Sequence, residues 1–199
     1  MPAIDFWFDF ASTYSYPAAM RIGPLAKKAG VTVRFRPFLL GPIFQAQGWD
    51  TSPFNLYAAK GRHMWRDLER LCADLRLPFR RPDPFPHQSV LAARVALVGL
   101  GKKWGKNFCL AVYRAEFSET RRIDDAAVIG DILAGLKVGA APVIEAAQSN
   151  EIRMRLRDQT EEAQRLGIFG APTFITKDGE LFWGNDRLER ALRWAKQGG

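Results

Sequence analysis

Phe8-Asp9-Phe10-Ala11-Ser12-Thr13-Tyr14-Ser15-Tyr16 changes from one backbone regime to another within nine residues. Upstream, Ile4 to Phe10 sets Asp5 and Asp9 among Ile4, Phe6, Trp7, Phe8 and Phe10, and this aromatic density predicts a buried strand. Downstream, a helix is expected from about Tyr14 to Ala29. Ser12 or Ser15 would cap it, Pro17 suits its first turn, Pro24 is expected to kink it and Gly30 stops it. Val31, Val33 and Phe35 then alternate with Thr32, Arg34 and Arg36, the pattern of a half-buried second strand.

Working outward, the middle of the chain reads as helical. Met64, Leu68, Leu71, Cys72 and Leu75 recur at three- and four-residue steps and give one apolar face between about Ala58 and Leu75. A proline-rich loop runs from Leu77 to His87. Helices are expected over Ser89–Leu100, Lys103–Phe117, Asp124–Leu136, Pro142–Ala147 and Asn150–Leu166, the last capped by Asn150 and ended by Gly167. Strand character returns at Thr173–Thr176 and Glu180–Trp183 around the turn Lys177-Asp178-Gly179. A terminal helix follows from Asn185 or Asp186 to Lys196, with Leu188, Leu192 and Ala195 on one face. The pattern is α/β: a strand–helix–strand half and a strand–strand–helix half, separated by an all-helical insertion at about residues 50–150. With 199 residues and no linker-like tract, one domain is expected.

Composition narrows the partners. The net charge is +8, but lysine and arginine are scattered, without a long basic run or a zinc-finger spacing, which argues against nucleic acid and for a surface that attracts small anions. No run reaches the roughly 20 apolar residues of a membrane helix. The N-terminus lacks a signal-peptide layout, so a cytoplasmic location is expected. Cys72 and Cys109, far apart in apolar patterns, read as buried free thiols, and no metal-ligand spacing involves them. His63 and His87, the two histidines, belong to no hydrolase elbow or His-x-x-x-His pair.

Three motifs carry a resemblance over nearly the whole chain: the Ser12 stretch, Gly170-Ala171-Pro172-Thr173-Phe174, and Trp183-Gly184-Asn185-Asp186-Arg187. In this order the chain resembles the 2-hydroxychromene-2-carboxylate isomerases, relatives of the kappa-class glutathione transferases, with a DsbA-type thioredoxin-like fold. In the redox members of that superfamily a cysteine stands where Ser12 stands; here Ser12 to Ser15 contains no sulfur. A hydroxyl cannot exchange disulfides, but it can hydrogen-bond a thiolate brought by something else.

The resemblance implies glutathione as cofactor. Ser12 would donate to the glutathione sulfur, aided by the helix dipole; each contribution is on the order of 1 kcal/mol, together enough to lower a thiol pKa by one or two units. Pro172 would be cis, with Ala171 gripping the cysteinyl main chain. Trp183, Gly184, Asn185 and Asp186 would take the γ-glutamyl end, Asp186 pairing with its ammonium. On the substrate side, the better-known isomerases use a lysine after the second strand; counting places Phe44 there, and Trp49 replaces an asparagine found in many relatives. Phe44, Trp49, Asn55, Phe85 and His87 are the candidate substrate residues, and Lys60, Arg62, Arg66 and Arg81 are alternative anion partners. The implied activity is glutathione-dependent cis–trans isomerisation of an aromatic α,β-unsaturated 2-oxo acid by reversible thiolate addition. A kappa-like transferase, a thiol-dependent reductase and a non-catalytic glutathione- or peptide-binding module remain alternatives. Relatives are commonly homodimers, which leaves dimerisation open here.

Overall fold

A computed structural model describes residues 1–198. Its centre is a four-stranded sheet of order β2-β1-β3-β4. Strand β1 (Ala3–Phe8) runs parallel to β2 (Thr32–Pro37), pairing Ile4 with Val33 and Phe6 with Phe35. On its other side β1 is antiparallel to β3 (Thr173–Thr176), which pairs with β4 (Leu181–Trp183). Being central, β1 is covered on both faces, which accounts for its aromatic density. Ile4, Phe6 and Phe8 enter the main core, whereas Trp7 enters a second cluster with Phe38, Ile43, Ala163, Ile168 and Ile175. Phe6 stacks with Phe8 and Phe174 at centroid separations of 5.0 and 5.5 Å. Each such ring contributes on the order of 1.5–3 kcal/mol by leaving water.

Helix α1 (Ser15–Ala29) joins β1 to β2. Gly30, at φ 71°, closes it with its N–H on the Ala26 and Lys27 carbonyls, a left-handed turn that glycine adopts without strain. The helix continues through Pro24, which can supply no backbone donor. At its other end the expected serine cap is absent. Tyr14 occupies the N-cap position without a side-chain cap bond, and Ser15 Oγ is buried with no partner.

Between β2 and β3 lie α2 (Leu40–Ala46), α3 (Pro53–Leu56), α4 (Ala58–Asp74), α5 (Val90–Gly99), α6 (Gly105–Phe117), α7 (Ala126–Gly135), α8 (Ala140–Gln148) and α9 (Asn150–Arg165). The expected helices of this block are present within a few residues of their bounds; α2 and α3, in the stretch after β2, were not expected. Ser149 rather than Asn150 caps α9, accepting from Ile152 N–H at 3.3 Å. Met64, Leu68, Phe108, Val112 and Tyr113 of the inserted helices share one apolar cluster with β1 and α1. A single 3-10 turn (Asn185–Arg187) precedes the terminal helix α10 (Leu188–Lys196), whose Leu188, Ala191, Leu192 and Ala195 are buried. Among the described residues no helix is long and apolar enough to cross a membrane.

Candidate functional site

The site forms where the chain leaves β1. Ser12 N–H donates to Asp9 C=O at 3.0 Å, and Ser15 N–H to Ser12 C=O at 3.2 Å, folding the segment into a tight turn before α1. The turn delivers the nearly buried Ser12 hydroxyl to the backbone carbonyl of Ala171, 3.0 Å away and 159 residues distant in sequence. The Ala171–Pro172 bond is cis. Thr173 Oγ1 braces this turn by donating to Gly170 C=O at 2.8 Å, and Gly184 N–H donates to Pro172 C=O at 2.9 Å. Ser12, Ala171, Pro172 and Gly184 are therefore linked by hydrogen bonds.

Gly184 sits at φ 106°, where a side chain would be strained; a Cβ there would come within 2.5 Å of Asp186 Oδ1. Trp183, half-exposed, leans on Phe169 at a ring separation of 5.0 Å. Asp186 is largely exposed, and its carboxylate contacts Arg187 at 3.2 Å. Asn185 is different: it is buried, and its side-chain carbonyl accepts from Arg21 at 3.1 Å, while Arg21 also pairs with Glu189 at 2.6 Å. Asn185 thus ties the terminal segment to α1.

Two further acids, which the sequence reading left without a role, support this cleft. Asp9 is buried but for a small exposed remainder. Its carboxylate accepts from Ala11 N–H at 3.0 Å and Leu40 N–H at 2.8 Å and faces the Ser89 hydroxyl, joining the Ser12 turn to the starts of α2 and α5. Burial raises its pKa above the ordinary carboxylate value, opposed chiefly by the Leu40 hydrogen bond. Its backbone carbonyl also accepts from Tyr113 at 3.0 Å. Asp67, on α4, accepts from the Tyr14 hydroxyl at 2.9 Å. Burial, then Asp67, raise the Tyr14 pKa, and the charge of Asp186 adds to the same effect, which places Asp186 within electrostatic reach of Tyr14.

The substrate-side candidates divide. Phe44, on α2, and Trp49 bring their half-buried rings to 6.1 Å. Asn55 is exposed on α3 and donates to Thr51 Oγ1 at 2.9 Å. Phe85, half-buried, and His87, buried, lie against the inserted helices. Phe85 packs inward against Trp65 at 4.9 Å and Phe117 at 6.0 Å, because the prolines around it turn the loop onto the α4–α6 core. His87 is buried with Nδ1 2.9 Å from Glu116 Oε2. Burial pushes Glu116 up to about 7, against the lowering effect of His87. Of the other cations, Lys60 lies over Tyr57, Arg81 over Trp65, and Arg66 pairs with Glu69.

The chain's own thiols stand apart from this chemistry. Cys72 and Cys109 are free and buried, and burial pushes the Cys72 thiol up to about 11 and raises Cys109 further. Both are inert at neutral pH. The first residue of α1's approach is a hydroxyl facing a cis-proline turn, in the strand order described above, and residues 3–193 match the model of the DSBA-like thioredoxin domain. The chain belongs to that family. Within it, the chain is 29% identical over 187 residues to a 2-hydroxychromene-2-carboxylate isomerase of Sphingobium xenophagum, covering 94% of each protein. It is 27% identical over 203 residues to glutathione S-transferase kappa 1 of Caenorhabditis elegans, covering 94% of this chain and 88% of that one. A solved 2-hydroxychromene-2-carboxylate isomerase superposes with a TM-score of 0.86 at 26% identity, over 98% of this chain and 97% of its own. This DsbA-like chain therefore has isomerases and kappa-class transferases as relatives along almost its full length.

Proposed function

We propose that the protein is a glutathione-dependent isomerase of the 2-hydroxychromene-2-carboxylate type, acting on a small aromatic α,β-unsaturated 2-oxo acid. The observation that carries this is the Ser12 hydroxyl seated against Ala171 beside cis-Pro172, with both cysteines buried and protonated elsewhere. The donor set suits glutathione: a hydroxyl before a helix N-terminus for the sulfur, a backbone turn for the cysteinyl unit, and an exposed carboxylate at Asp186 for the ammonium. Bound glutathione would supply the thiolate that adds reversibly to the conjugated alkene and leaves unchanged.

The protein's contribution follows from its own groups. Ser12 would hold the sulfur ionised by turning its single hydroxyl hydrogen from Ala171 C=O to the sulfur, reinforced by the positive end of α1. Ala171 would pair with the extended main chain, as an edge strand would. Backbone N–H groups after Gly184 would take the γ-glutamyl carboxylate, with Trp183 covering that end. Phe44 and Trp49 would flank the aromatic ring of the substrate, and Asn55 would offer an amide at its rim. Orientation of the reacting atoms to about 3–3.5 Å is the main source of acceleration.

A kappa-like transferase or thiol reductase is the second reading, favoured because counting along the sequence puts Phe44 where the resemblance implies a lysine for the substrate carboxylate. Incubation with trans-o-hydroxybenzylidenepyruvate and catalytic glutathione, followed by absorbance and thiol titration, separates the two. The isomerase reading expects conversion with no thiol consumed. Stoichiometric thiol loss, or no conversion, refutes it.

A further inference from the structure

A groove of about 310 Å³ lies between α5, α9 and the start of α2, and its walls share no residue with the Ser12, Ala171 and Trp183 cleft. Both helices bring apolar and basic side chains to it: Val90 and Arg94 from α5, and Leu156 with Arg153 and Arg157 from α9, with Leu39 beside them. The helices that frame it are fixed: Ala93, Leu97, Ile152 and Leu156 pack between α5 and α9, and Arg155 donates to Leu97 C=O at 3.3 Å.

The charges in this groove are unbalanced. Glu161, on the same rim, faces Arg157 at 3.4 Å, and Arg157 also meets Asp158 at 3.7 Å, so that arginine is answered. Arg94 and Arg153 form no ion pair among the described residues. Arg94 Nε is buried and has no hydrogen-bond partner. Burial weakens the hold of Arg94 on its proton, and the charge of Arg153 weakens it further. A partly desolvated guanidinium with an unused donor, set beside a like charge, is costly until an anion takes both.

We infer that this groove is a second ligand site, taking the carboxylate of a small aryl acid between Arg94 and Arg153 with its ring on Leu39, Val90 and Leu156. The planar guanidinium fork matches a carboxylate in two-point contact. The apolar side chains among the lining select an organic acid over inorganic phosphate, and the volume, at the low end for ligand pockets, suits a single ring. Leu39 and Pro42 of the same groove lead into the helix that carries Phe44, so an occupant would lie against the element that borders the proposed substrate.

The test is calorimetric titration with trans-cinnamate and, in parallel, inorganic phosphate. Wild type, Ser12→Ala, Arg94→Gln and Arg153→Gln are compared, and glutathione is titrated into each. Cinnamate is expected to bind wild type and S12A alike, and more tightly than phosphate. Each arginine substitution is expected to weaken it by about fivefold or more, the value of one charge-assisted contact, with glutathione affinity unchanged. Arg153 is exposed on α9, so its substitution leaves the fold intact even if that of Arg94 does not. Absence of heat with millimolar cinnamate, tighter binding of phosphate, or cinnamate binding lost in S12A but kept in both arginine variants would overturn the inference. Glutathione binding reports separately on the Ser12 site, so the two readings fail independently.

Discussion

Replacing Asp9 tests how the Ser12 turn is held. Its carboxylate satisfies the N–H groups of Ala11 and Leu40 and faces the Ser89 hydroxyl. Asp9→Ala strands both N–H groups, at about 1–3 kcal/mol each when fully buried. Both bonds are only part-buried, so water can reach them and the lower end applies; removal of a buried charge offsets a further part. The expected loss is about 1–2 kcal/mol, a sizeable share of the 5–15 kcal/mol of a typical domain. Asp9→Asn keeps one acceptor and should lose about 1 kcal/mol at neutral pH.

The two variants also differ in their response to pH. The native pKa of Asp9 is raised above its unfolded value of 3.8, so its contribution to wild-type stability is complete below that value and declines as pH rises through the native value. Asn carries no such dependence, and the gap between wild type and D9N should narrow as pH rises above the unfolded value of 3.8. Urea unfolding followed by tryptophan fluorescence across a pH series measures both effects. Stability of D9A within about 0.5 kcal/mol of wild type, or D9N less stable than D9A, would refute the reasoning.

Other substitutions probe the remaining parts. Gly184→Ala, strained at φ 106° and pressed on Asp186, should cost about 1–2 kcal/mol and weaken glutathione binding in the same calorimetric assay. Asp186→Asn should weaken glutathione about tenfold with an unchanged melting temperature, because its side chain is exposed. Phe85→Ala should destabilise by about 2–3 kcal/mol, since it empties a contact with Trp65 and Phe117, whereas Trp49→Ala should raise KM with little loss of stability. The pKa of Glu116 is raised from 4.5 to about 7, so wild-type stability contributed by this group falls as pH rises across that window; Glu116→Gln should flatten the slope in denaturation series.

The sheet and most helices were legible because local pattern and tertiary burial agree there. β1 alternates and is central, α1 ends on Gly30, and the β3–β4 hairpin turns at Gly179, which sits at φ 88°. Where two residues were equally competent, the sequence could not choose: Ser149 and Asn150 both suit a cap, and the extended backbone of Ser149, at ψ 154°, decides. Long-range partners were the larger gap. Ser12 looked like a helix cap, but its hydroxyl is claimed by Ala171 from the far end of the chain. Asp9 read as one polar position of a strand and is instead enclosed by α2 and α5. Phe85 and His87 lie in a proline-rich loop with no periodicity to show which way they face, and their packing depends on a core formed by α4 and α6. The Tyr14–Asp67 contact joins residues 53 apart, with no local pattern to announce it.

The most direct test of the proposed role of Ser12 is the thiol pKa of bound glutathione, read from thiolate absorbance across a pH series with wild type and S12A at saturating glutathione. A free thiol ionises near 8.5, and wild type should lower the bound value by about one to two units, with most of that shift lost in S12A. An equal pKa in the two proteins would contradict the assignment of Ser12 as the group that holds the sulfur.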